Sequence, residues 1–484
     1  MLAAAITLVV GVFLPLRWRR PFCAVVAGLA LVAAGIVAGI LFGIDDQPGS
    51  LIRGSLRRDR LGELGQVFVC IAGLLAVGVS YWDSRAPRAA DVPEHLSDER
   101  ERVAEYYTLL LAAVAGMAFF VQASTLMTLF LGLEWFSIAL YVLTALAVDR
   151  LSSLEAGLKY LIVGSFGSAI LLFGSAFVYG STGELRFDEI AKAAPGTDRF
   201  FFIAGLAMII VGLAFKVSAA PFHMWTPDVY QGAPTPVTAF MSAATKVAAL
   251  ILTLRLLTTA FPSEADLWTW ALAVIAAISL AWGNLGALVQ LDVKRMLAYS
   301  SVSHAGFLLM PIAAGNAIGG RALVFYLIPY GAMSIGSFAI VAARERETGR
   351  PVTMETIGGL GWERPFLGAS MAVFMFGFIG LPPSGLFLGK FYAFAAAYEG
   401  GFTWLVIVGV VATVISVAYY LRVVLAMYAS PELRLAPAGG SPPRDAPLTT
   451  AVFCSLAITV GSLVFASPLI DLARQASESL TYPF

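Results

Sequence analysis

Long apolar runs separated by short polar connections make up most of the chain, which has 484 residues. A helix needs roughly 20 mostly apolar residues to cross a bilayer, and in lipid only helices and closed barrels satisfy every backbone hydrogen-bonding group. The runs here have the length of helices, so the pattern predicts an all-α polytopic membrane protein with about fourteen transmembrane helices. The predicted segments are 2–16, 22–42, 67–82, 107–121, 125–148, 157–179, 200 to about 225, 237–257, 267–289, 296–314, 323–343, 366 to about 397, 402–427 and 448–469.

The first predicted segment, 2–16, is short. No positively charged residue precedes it, and no small-residue cleavage site clearly ends it before Arg17, whereas a secretory signal peptide has both features. We therefore expect an uncleaved first helix. The connections are short, and the longest polar stretches, 83–104 and 430–447, are expected to be surface loops, so the chain forms a single membrane domain over residues 1–484.

The composition supports a membrane protein and excludes several kinds of chemistry. Hydrophobic residues make up 59% of the chain and charged residues 13%, whereas soluble domains are about a quarter charged. Thirty-one basic side chains balance thirty-one acidic ones, so no positive field is available to hold nucleic acid. The three cysteines have no C-x-x-C spacing, which excludes an iron–sulfur or structural zinc site built from this chain alone. Nucleotide-binding and zinc-hydrolase motifs are missing too. We expect neither a cofactor nor a metal in this chain.

The basic residues of the loops predict the orientation, because cytoplasmic loops carry the excess of Lys and Arg. The odd-numbered loops hold sixteen of them and the even-numbered loops eight. We therefore expect the odd-numbered loops in the cytoplasm and both termini outside it. The sixteen are Arg17, Arg19, Arg20, Arg85, Arg88, Arg100, Arg102, Arg150, Lys294, Arg295, Arg344, Arg346, Arg350, Arg364, Arg434 and Arg444. The eight are Arg53, Arg57, Arg58, Arg60, Arg186, Lys192, Arg199 and Arg321. The loop of residues 44–64 holds half of those eight and disagrees with the rule.

Five ionisable residues lie inside the apolar runs, namely Glu134, Lys159, Lys216, Lys246 and Lys390. A charged side chain at a helix centre costs about 2.5–3.5 kcal/mol, so five unpaired ones cost on the order of 10–15 kcal/mol. One interpretation is that they form structural ion pairs or reach the interface. For Lys159, which is close to Glu155, this interpretation weighs about as much as a functional one. A movable Glu–Lys pair can instead take up and release a proton, as a proton relay requires.

Two of these lysines lie beside interruptions of their own helices. In lipid such breaks are tolerated only where the freed carbonyls face protein or water, and broken helices at corresponding positions of two halves indicate an ion pathway. The breaks fall in predicted helices 7 and 12, which fits two inverted five-helix repeats, helices 4–8 (residues 105–258) and 9–13 (residues 267–428). An N-terminal part (1–104) and a C-terminal helix (448–470) flank them. Lys216 precedes Pro221, Pro227, Pro234 and Pro236, and Lys390 follows Pro382, Pro383, Gly385 and Gly389.

Other polar side chains inside the runs allow two interpretations each. His304 could pass a proton between its ring nitrogens or make a structural hydrogen bond, and His223 lies at the first broken segment. The hydroxyl groups on the helix of His304 could hold water or bond across helices. They belong to Tyr299, Ser300, Ser301 and Ser303. Four tryptophans are expected to pack or to anchor the chain at the interface, namely Trp135, Trp225, Trp268 and Trp282.

Three stretches carry a family resemblance. They are FKVSAAPFHMWTPDVYQGAPTPVTAFMSAATKVAAL, GNLGALVQLDVKRMLAYSSVSHAGF and GLPPSGLFLGKFYAF. Together they resemble subunit N of the bacterial proton-pumping NADH:quinone oxidoreductase, respiratory complex I, over residues 107–428. The sister subunits L and M and the related sodium/proton antiporter subunits usually carry L-P-x-A-H-x-x-A-P where this chain has TPDVYQGAP, which favours subunit N.

The resemblance implies a proton-translocating, antiporter-like subunit of an enzyme complex in the bacterial inner membrane, with no redox centre of its own. NADH, FMN, iron–sulfur clusters and quinone are then expected in other subunits of the complex. The expected partners are the antiporter-like subunits M and L, the small subunits K and J, and the lipid bilayer. Quinone reduction elsewhere would change the electrostatics of the membrane arm, and separation of a Glu–Lys pair would let a proton pass outward.

The resemblance also assigns roles to the buried ionisable residues. Glu134 and Lys216 match the Glu–Lys pair of the family, Lys246 matches the linking lysine, and Lys390 matches the lysine of the second broken helix. Lys159 matches a further family position, and His304 is the candidate linker between two half-channels. The expected proton relay is therefore Glu134, Lys159, Lys216, Lys246, His304 and Lys390.

Three other functions are alternatives for a chain with this pattern. A free-standing secondary transporter also has broken helices and buried charges, and it predicts an active monomer. A subunit of a multisubunit cation/proton antiporter is a nearer relative. The TPDVYQGAP stretch distinguishes this chain from such subunits. A structural scaffold would not need to maintain five intramembrane charges.

Overall fold

The computed structural model describes residues 1–44, 49–81, 102–429, 445–480 and 482–483, which form helices over most of their length. Most of the two predicted surface loops, 83–104 and 430–447, lies outside the described residues. So do Trp82 and five arginines of the loop tally, namely Arg85, Arg88, Arg100, Arg434 and Arg444.

The described part of the first half of the chain contains ten α-helices and a small hairpin. The helices are α1 Leu2–Phe13, α2 Leu16–Ile44, α3 Arg60–Ser80, α4 Val103–Phe120, α5 Leu126–Thr144, α6 Leu151–Thr182, α7 Phe187–Ala193, α8 Arg199–Lys216, α9 Trp225–Gly232 and α10 Thr235–Ala260. Strands β1 (Gly49–Leu51) and β2 (Leu56–Arg58) pair antiparallel between α2 and α3, with Gly49 opposite Arg58.

The second half is helical throughout its described part. Its helices are α11 Ala265–Leu288, α12 Val293–Ala313, α13 Ala317–Thr348, α14 Leu360–Glu363, α15 Pro365–Ile379, α16 Leu386–Glu399, α17 Thr403–Tyr428, α18 Ala446–Val464 and α19 Ala466–Ser477. Predicted helix 7 is therefore α8 followed by α9, and predicted helix 12 is α15 followed by α16.

Twelve helices within the described ranges are long and apolar enough to cross a membrane. They are α2 to α6, α8, α10 to α13, α17 and α18, while α1 and α15 are apolar but shorter. This confirms the predicted all-α polytopic membrane fold. The number of fourteen transmembrane helices and the two five-helix repeats stay predictions.

Helices α10, α12 and α13 form the centre of the bundle. Almost every residue of α10 is buried, and most of α12 and α13 is buried as well. In contrast, α2 and α17 expose apolar side chains such as Leu29 and Val414, which lipid tails can solvate because they are equally apolar. Ionisable groups on the three central helices are therefore kept away from lipid.

Helices α6 and α8 pack closely because both carry glycine where they meet. A Cβ atom on Gly174 would lie 2.7 Å from the carbonyl oxygen of Gly205, and a Cβ atom on Gly205 would lie 2.7 Å from that of Gly174. Small residues of this kind let membrane helices approach each other. The contact holds α8, the helix that ends at Lys216, against α6.

Asp59, directly before α3, forms a buried ion pair with Arg255 of α10. Its carboxylate accepts the N–H of Gly62 at 2.9 Å and caps α3. It also accepts both terminal nitrogens of Arg255 at 2.5 and 2.6 Å, and Arg57 lies 3.1 Å away. Burial alone would raise the pKa of Asp59, but Arg255, the Gly62 N–H and Arg57 together lower it. Two charged residues of the loop that disagrees with the charge rule, Arg57 and Asp59, thus take part in ion pairs within the protein.

We expect Asp59→Asn to destabilise the protein, because it leaves Arg255 buried without a carboxylate. Removing one partner of a buried ion pair costs about 3–5 kcal/mol, which thermal unfolding in detergent measures. Asp188→Asn is the matched control, since both side chains of the Asp188–Arg186 pair are more than 40% exposed and such pairs contribute about 0–1 kcal/mol. Equal shifts in the two variants would contradict a structural role for the Asp59 pair.

Candidate functional site

The structure separates the six predicted relay residues by their burial. Four of them are at most 4% exposed, namely Lys216, Lys246, His304 and Lys390. Glu134 is partly buried, and the side chain of Lys159 is 42% exposed. The buried four lie on α8, α10, α12 and α16.

The first broken helix leaves backbone carbonyls that side chains then satisfy. Helix α8 ends at Lys216, and the chain becomes helical again at Trp225. The indole N–H of Trp225 donates to the carbonyl oxygen of Phe215 at 3.2 Å, and Nζ of Lys246 donates to that of Val217 at 2.9 Å. A buried carbonyl without a donor is costly in lipid. Lys246 therefore satisfies the carbonyl of Val217, and Trp225 adds a second donor, beside the Ser218 N–H, at that of Phe215.

Lys216 is surrounded by hydroxyl groups and aromatic rings. Its Nζ donates to Ser137 Oγ at 2.7 Å and to the Tyr160 hydroxyl at 3.5 Å. It also lies 4.7 Å from the ring centroid of Phe136 and 5.9 Å from that of Tyr141. Because the faces of aromatic rings attract cations, these residues can hold a charged amine without a carboxylate in direct contact.

Glu134 does not bind Lys216 directly. Its Oε1 atom is buried and has no hydrogen-bond partner among the described residues, whereas Ser137 accepts the hydrogen bond from Lys216. Residues three apart lie on the same face of a helix, so Glu134 and Ser137 share one face of α5. An unpartnered carboxylate oxygen is costly when buried. Glu134 and Lys216 therefore form no direct ion pair in the described structure, and Ser137 is the direct partner of the lysine.

His304 lies between two phenolic hydroxyl groups. Its Nδ1 is 2.9 Å from the hydroxyl of Tyr326, and its Nε2 is 3.1 Å from that of Tyr420. The Tyr420 hydroxyl is also hydrogen-bonded to Ser300 Oγ. Hydroxyl groups donate and accept, and the two nitrogens of a neutral imidazole do one each. His304 therefore has a proton donor or acceptor on both sides of its ring.

Lys390 repeats at the second break what Lys246 does at the first. Helix α15 ends at Ile379, and Nζ of Lys390 in α16 donates to the carbonyl oxygen of Ile379 at 2.9 Å. The same atom lies 4.1 Å from the ring centroid of Phe307. Gly380 has a φ of +95°, and a Cβ atom there would lie 2.8 Å from Cδ of Lys390. Glycine at this position therefore gives the chain its turn and leaves room for the lysine.

Lys159 lies apart from the buried lysines, in a network of ion pairs. Its Nζ is 2.7 Å from Glu155 and 2.8 Å from Asp228, and Asp228 also binds Arg295 at 2.6 Å. The ion-pair interpretation therefore describes Lys159. It does not describe Lys216, Lys246 or Lys390, whose acceptors within the described ranges are hydroxyl groups and backbone carbonyls.

The direct partners of the predicted residues were missed by the sequence reasoning. They are Ser137, Tyr160, Tyr326 and Tyr420. All three tyrosines are almost completely buried, although tyrosine in membrane helices prefers the interface. Their depth in the apolar runs is a signal that could have identified them. The other histidine singled out, His223, packs against the rings of Trp282 and Tyr299 at 5.8 and 6.4 Å.

The arrangement is suited to carrying protons within the membrane. An amine without a bound carboxylate can gain and lose a proton without breaking an ion pair, and buried ionisable groups of this kind form proton relays. No group of three or more His, Cys, Asp or Glu side chains that could hold a metal ion occurs in the part of the chain that the structure describes.

Comparisons with known proteins agree with one another. A family model described as NADH:quinone oxidoreductase/Mrp antiporter, TM matches residues 123–416. The chain is 39% identical over 432 residues to NADH-quinone oxidoreductase subunit N of Chloroflexus aggregans. This alignment covers 88% of this chain and 85% of that protein. The chain is 38% identical over 477 residues to subunit N of Trichlorobacter lovleyi, which covers 97% and 93%. A chain of respiratory complex I from Thermus thermophilus with bound aureothin is similar at a TM-score of 0.79 and 31% identity, over 98% of both chains.

We expect Trp225→Phe to destabilise the protein modestly, because a phenyl ring keeps the stacking on Tyr160 but loses the indole hydrogen bond to the carbonyl of Phe215, which keeps the Ser218 N–H as a donor. One intramolecular hydrogen bond contributes about 0.5–1.5 kcal/mol, which thermal unfolding in detergent measures. Trp282→Phe is the control, since Trp282 is 58% exposed. An unchanged unfolding temperature for Trp225→Phe would show that this hydrogen bond does not stabilise the break.

Proposed function

We propose, because this chain belongs to the family of NADH-quinone oxidoreductase subunit N, that it translocates protons as an antiporter-like subunit in the membrane arm of such an enzyme. The chain works as part of the enzyme complex and not as an enzyme by itself. NADH-driven quinone reduction in other subunits supplies the free energy, and this subunit carries protons through its buried ionisable residues.

The observation that carries the proposal is the position of Lys246. Its Nζ donates to the carbonyl of Val217, the residue after Lys216, and at 2.5 Å to the carbonyl of Ser301, three residues before His304. A lysine at the centre of the bundle thus connects the helix break of Lys216 with the helix of His304. This connection supports a relay with Lys246 as its middle member.

The proposed relay runs from Glu134 and Lys216 through Lys246 and His304 to Lys390. Glu134, with its unpartnered oxygen, is the group whose charge attracts or releases the proton of Lys216. Lys159 lies beside this line: it is next in sequence to Tyr160, which contacts Lys216, and its own amine is held by Glu155 and Asp228. We propose that Lys159 affects the relay electrostatically. Protons leave on the outer side of the membrane.

The chain needs no redox centre for this role. In the proposed complex NADH, FMN, iron–sulfur clusters and quinone belong to other subunits, and the neighbours of this chain are the antiporter-like subunits M and L and the small subunits K and J. The location is the inner membrane of a bacterial cell, with odd-numbered loops in the cytoplasm and both termini outside.

A subunit of a multisubunit cation/proton antiporter is the second candidate, because the matching family model covers Mrp antiporters too. In the TPDVYQGAP stretch, Tyr230 stands where those antiporter subunits usually carry histidine. Tyr230 is buried and packs edge-on against Trp225 and Phe338, so it serves as a packing residue. This favours the oxidoreductase subunit, as do the names of the relatives.

We expect Lys216→Ala in the assembled complex to lower NADH-driven proton pumping into sealed inverted vesicles by roughly a hundredfold or more, because a positioned proton-transferring side chain contributes about 100- to 10,000-fold to rate. Pumping and quinone reduction are measured together at equal amounts of assembled complex. Lys192→Ala is the control, since the side chain of Lys192 is 68% exposed. Normal pumping with normal turnover in Lys216→Ala would return Lys216 to a structural role.

We expect Glu134→Gln to lower pumping in the same assay, because glutamine keeps the shape of the side chain but removes its negative charge. Glu184→Gln, at an exposed position between α6 and α7, controls for the loss of a carboxylate. If Glu134→Gln pumps normally while Lys216→Ala does not, Glu134 leaves the relay and Ser137 alone sets the position of Lys216.

A further inference from the structure

An apolar cavity lies between α3, α10, α13 and the last two helices, α18 and α19. Its volume is about 370 Å³, within the range of about 300–1,000 Å³ that ligand sites have. Its wall consists of glycines and apolar side chains except for Ser462, whose hydroxyl group donates to the carbonyl oxygen of Thr459 in its own helix. A buried water needs two to four polar partners. The wall does not supply them, so an apolar molecule is the ligand that fits.

The length of the cavity matches that of an acyl chain. On α3 the lining residues run from Leu64 to Leu75, and these eleven positions span about 16.5 Å at 1.5 Å per residue. The hydrocarbon core of a bilayer is about 30 Å thick, so one leaflet is about 15 Å deep. An acyl chain that lies along α3 therefore fills the cavity from one end to the other.

The cavity is open to the membrane on one side. Ile71 and Phe465, which line it, are exposed, whereas Ala243 and Val247 on the wall formed by α10 are almost completely buried. Lipid tails are as apolar as leucine, and they surround a membrane protein on its lateral surface. A tail can therefore enter beside Ile71 and Phe465 and reach α10.

One arginine lies on the same face of α13 as the cavity. Arg321 precedes the lining residue Ile328 by seven positions, which is two helical turns, so the two residues share a face. The Nε atom of Arg321 is buried and has no hydrogen-bond partner among the described residues. Arginine binds phosphate groups through its planar set of N–H donors. Arg321 can therefore bind the phosphate of a lipid whose acyl chain occupies the cavity.

Arg321 lies on the side of the membrane where α3 begins. The end of α13 is beside the start of α10, since Thr235 and Glu345 are hydrogen-bonded, so the start of α13 is beside the end of α10. The end of α10 is also beside the start of α3, where Asp59 binds Arg255. The lining residues of α3 and α13 therefore both run into the membrane from the side of Arg321.

Helix α19 marks the depth of the lipid head groups on that side. Its Leu469 and Leu472 line the cavity, whereas Arg474 is exposed. Arg57, just before α3, donates to the carbonyl oxygen of Ser479 after α19, so α19 lies where α3 begins. A helix with one apolar and one charged face lies in the plane of the membrane interface. The head group of a lipid in the cavity is therefore at the level of α19 and Arg321.

We propose that the cavity binds one acyl chain of a phospholipid and that the phosphate of this lipid contacts Arg321. The acyl chain fills a space that is otherwise empty, and empty space inside a protein destabilises the packing around it. The bound lipid is thus a structural component of the helix bundle. This inference goes beyond the proposed function and does not depend on proton translocation.

The first test uses a phospholipid with a photoreactive diazirine in the middle of one acyl chain, in vesicles of phosphatidylethanolamine that contain the assembled complex. We expect mass spectrometry to find the label on Ala243 and Val247, which lipid on the outer surface does not reach because both are buried. Leu29 and Val414 are exposed and report surface lipid. Label on exposed residues but on neither Ala243 nor Val247 would overturn the proposal.

A prenyl quinone with the same photoreactive group, at the same mole fraction, distinguishes the two kinds of apolar chain. We expect it to label Val247 far less than the phospholipid does, because it has no phosphate for Arg321. Stronger labelling of Val247 by the quinone would show that the cavity binds an isoprenoid chain and would overturn the proposal.

The second test fills the cavity with side chains. A Cβ atom on Gly331 would lie 3.6 Å from Ala243, and one on Gly461 would lie 3.9 Å from Phe465, so both lining positions have room for a larger residue. We expect the double variant Gly331→Leu/Gly461→Leu to lose the label on Val247. Gly39→Leu/Gly180→Leu is the matched control, since nothing lies within 4 Å of a Cβ atom at either position. Unchanged labelling of Val247 in the cavity variant, or equal losses in both, would overturn the site.

The third test changes the arginine, with all variants compared at equal amounts of complex by native electrophoresis. We expect Arg321→Gln to weaken the labelling of Val247 by the phospholipid and Arg321→Lys to restore it, because lysine also binds phosphate as a point charge. Equal labelling in the wild type and in Arg321→Gln would overturn the phosphate contact.

Discussion

Inside a bilayer no water is available to the backbone, so each carbonyl that a helix break frees needs a donor from the protein itself. In this chain the lysines of the site are among those donors: Lys246 serves the carbonyl of Val217, and Lys390 serves that of Ile379. The constraint works in both directions. The breaks persist because amines satisfy them, and the amines can lie deep in the membrane because carbonyl dipoles receive them. The same hydrogen bonds therefore position the buried lysines and stabilise the helix breaks.

The two breaks differ in where the donor comes from. At the first break it comes from α10, so the break ties two separate helices together. At the second break it comes from α16, which continues the broken helix. The donor and the freed carbonyl therefore belong to the two parts of the same broken helix. Two broken helices can thus be completed by lysines that come from different elements. At the first break the lysine before the prolines, Lys216, does not donate to the freed carbonyl of Val217, whereas at the second break the lysine after the prolines, Lys390, donates to that of Ile379.

Much of this fold could be predicted from the sequence, because apolar runs of helical length have few other outcomes in lipid. The burial of Lys216, Lys246 and Lys390 could be predicted as well, since each lies far from the ends of its run. The partners could not. Lys216 contacts Ser137, 79 positions earlier, and such pairs depend on how helices pack. Depth along a run also did not reveal that Lys159 faces Asp228 across a neighbouring segment, which only the position of α9 decides.

The pair of Asp59 and Arg255 has a mechanical consequence. Arg255 and Lys246 are on the same helix, nine positions apart, which is about 13.5 Å along the axis at 1.5 Å per residue. Because Arg255 is held by two hydrogen bonds to a carboxylate at the start of α3, α10 can neither slide along its axis nor turn about it without breaking a buried charge pair. A shift of α10 relative to α3 therefore costs a buried charge pair, whereas rotation of side chains and movement of the broken segments do not.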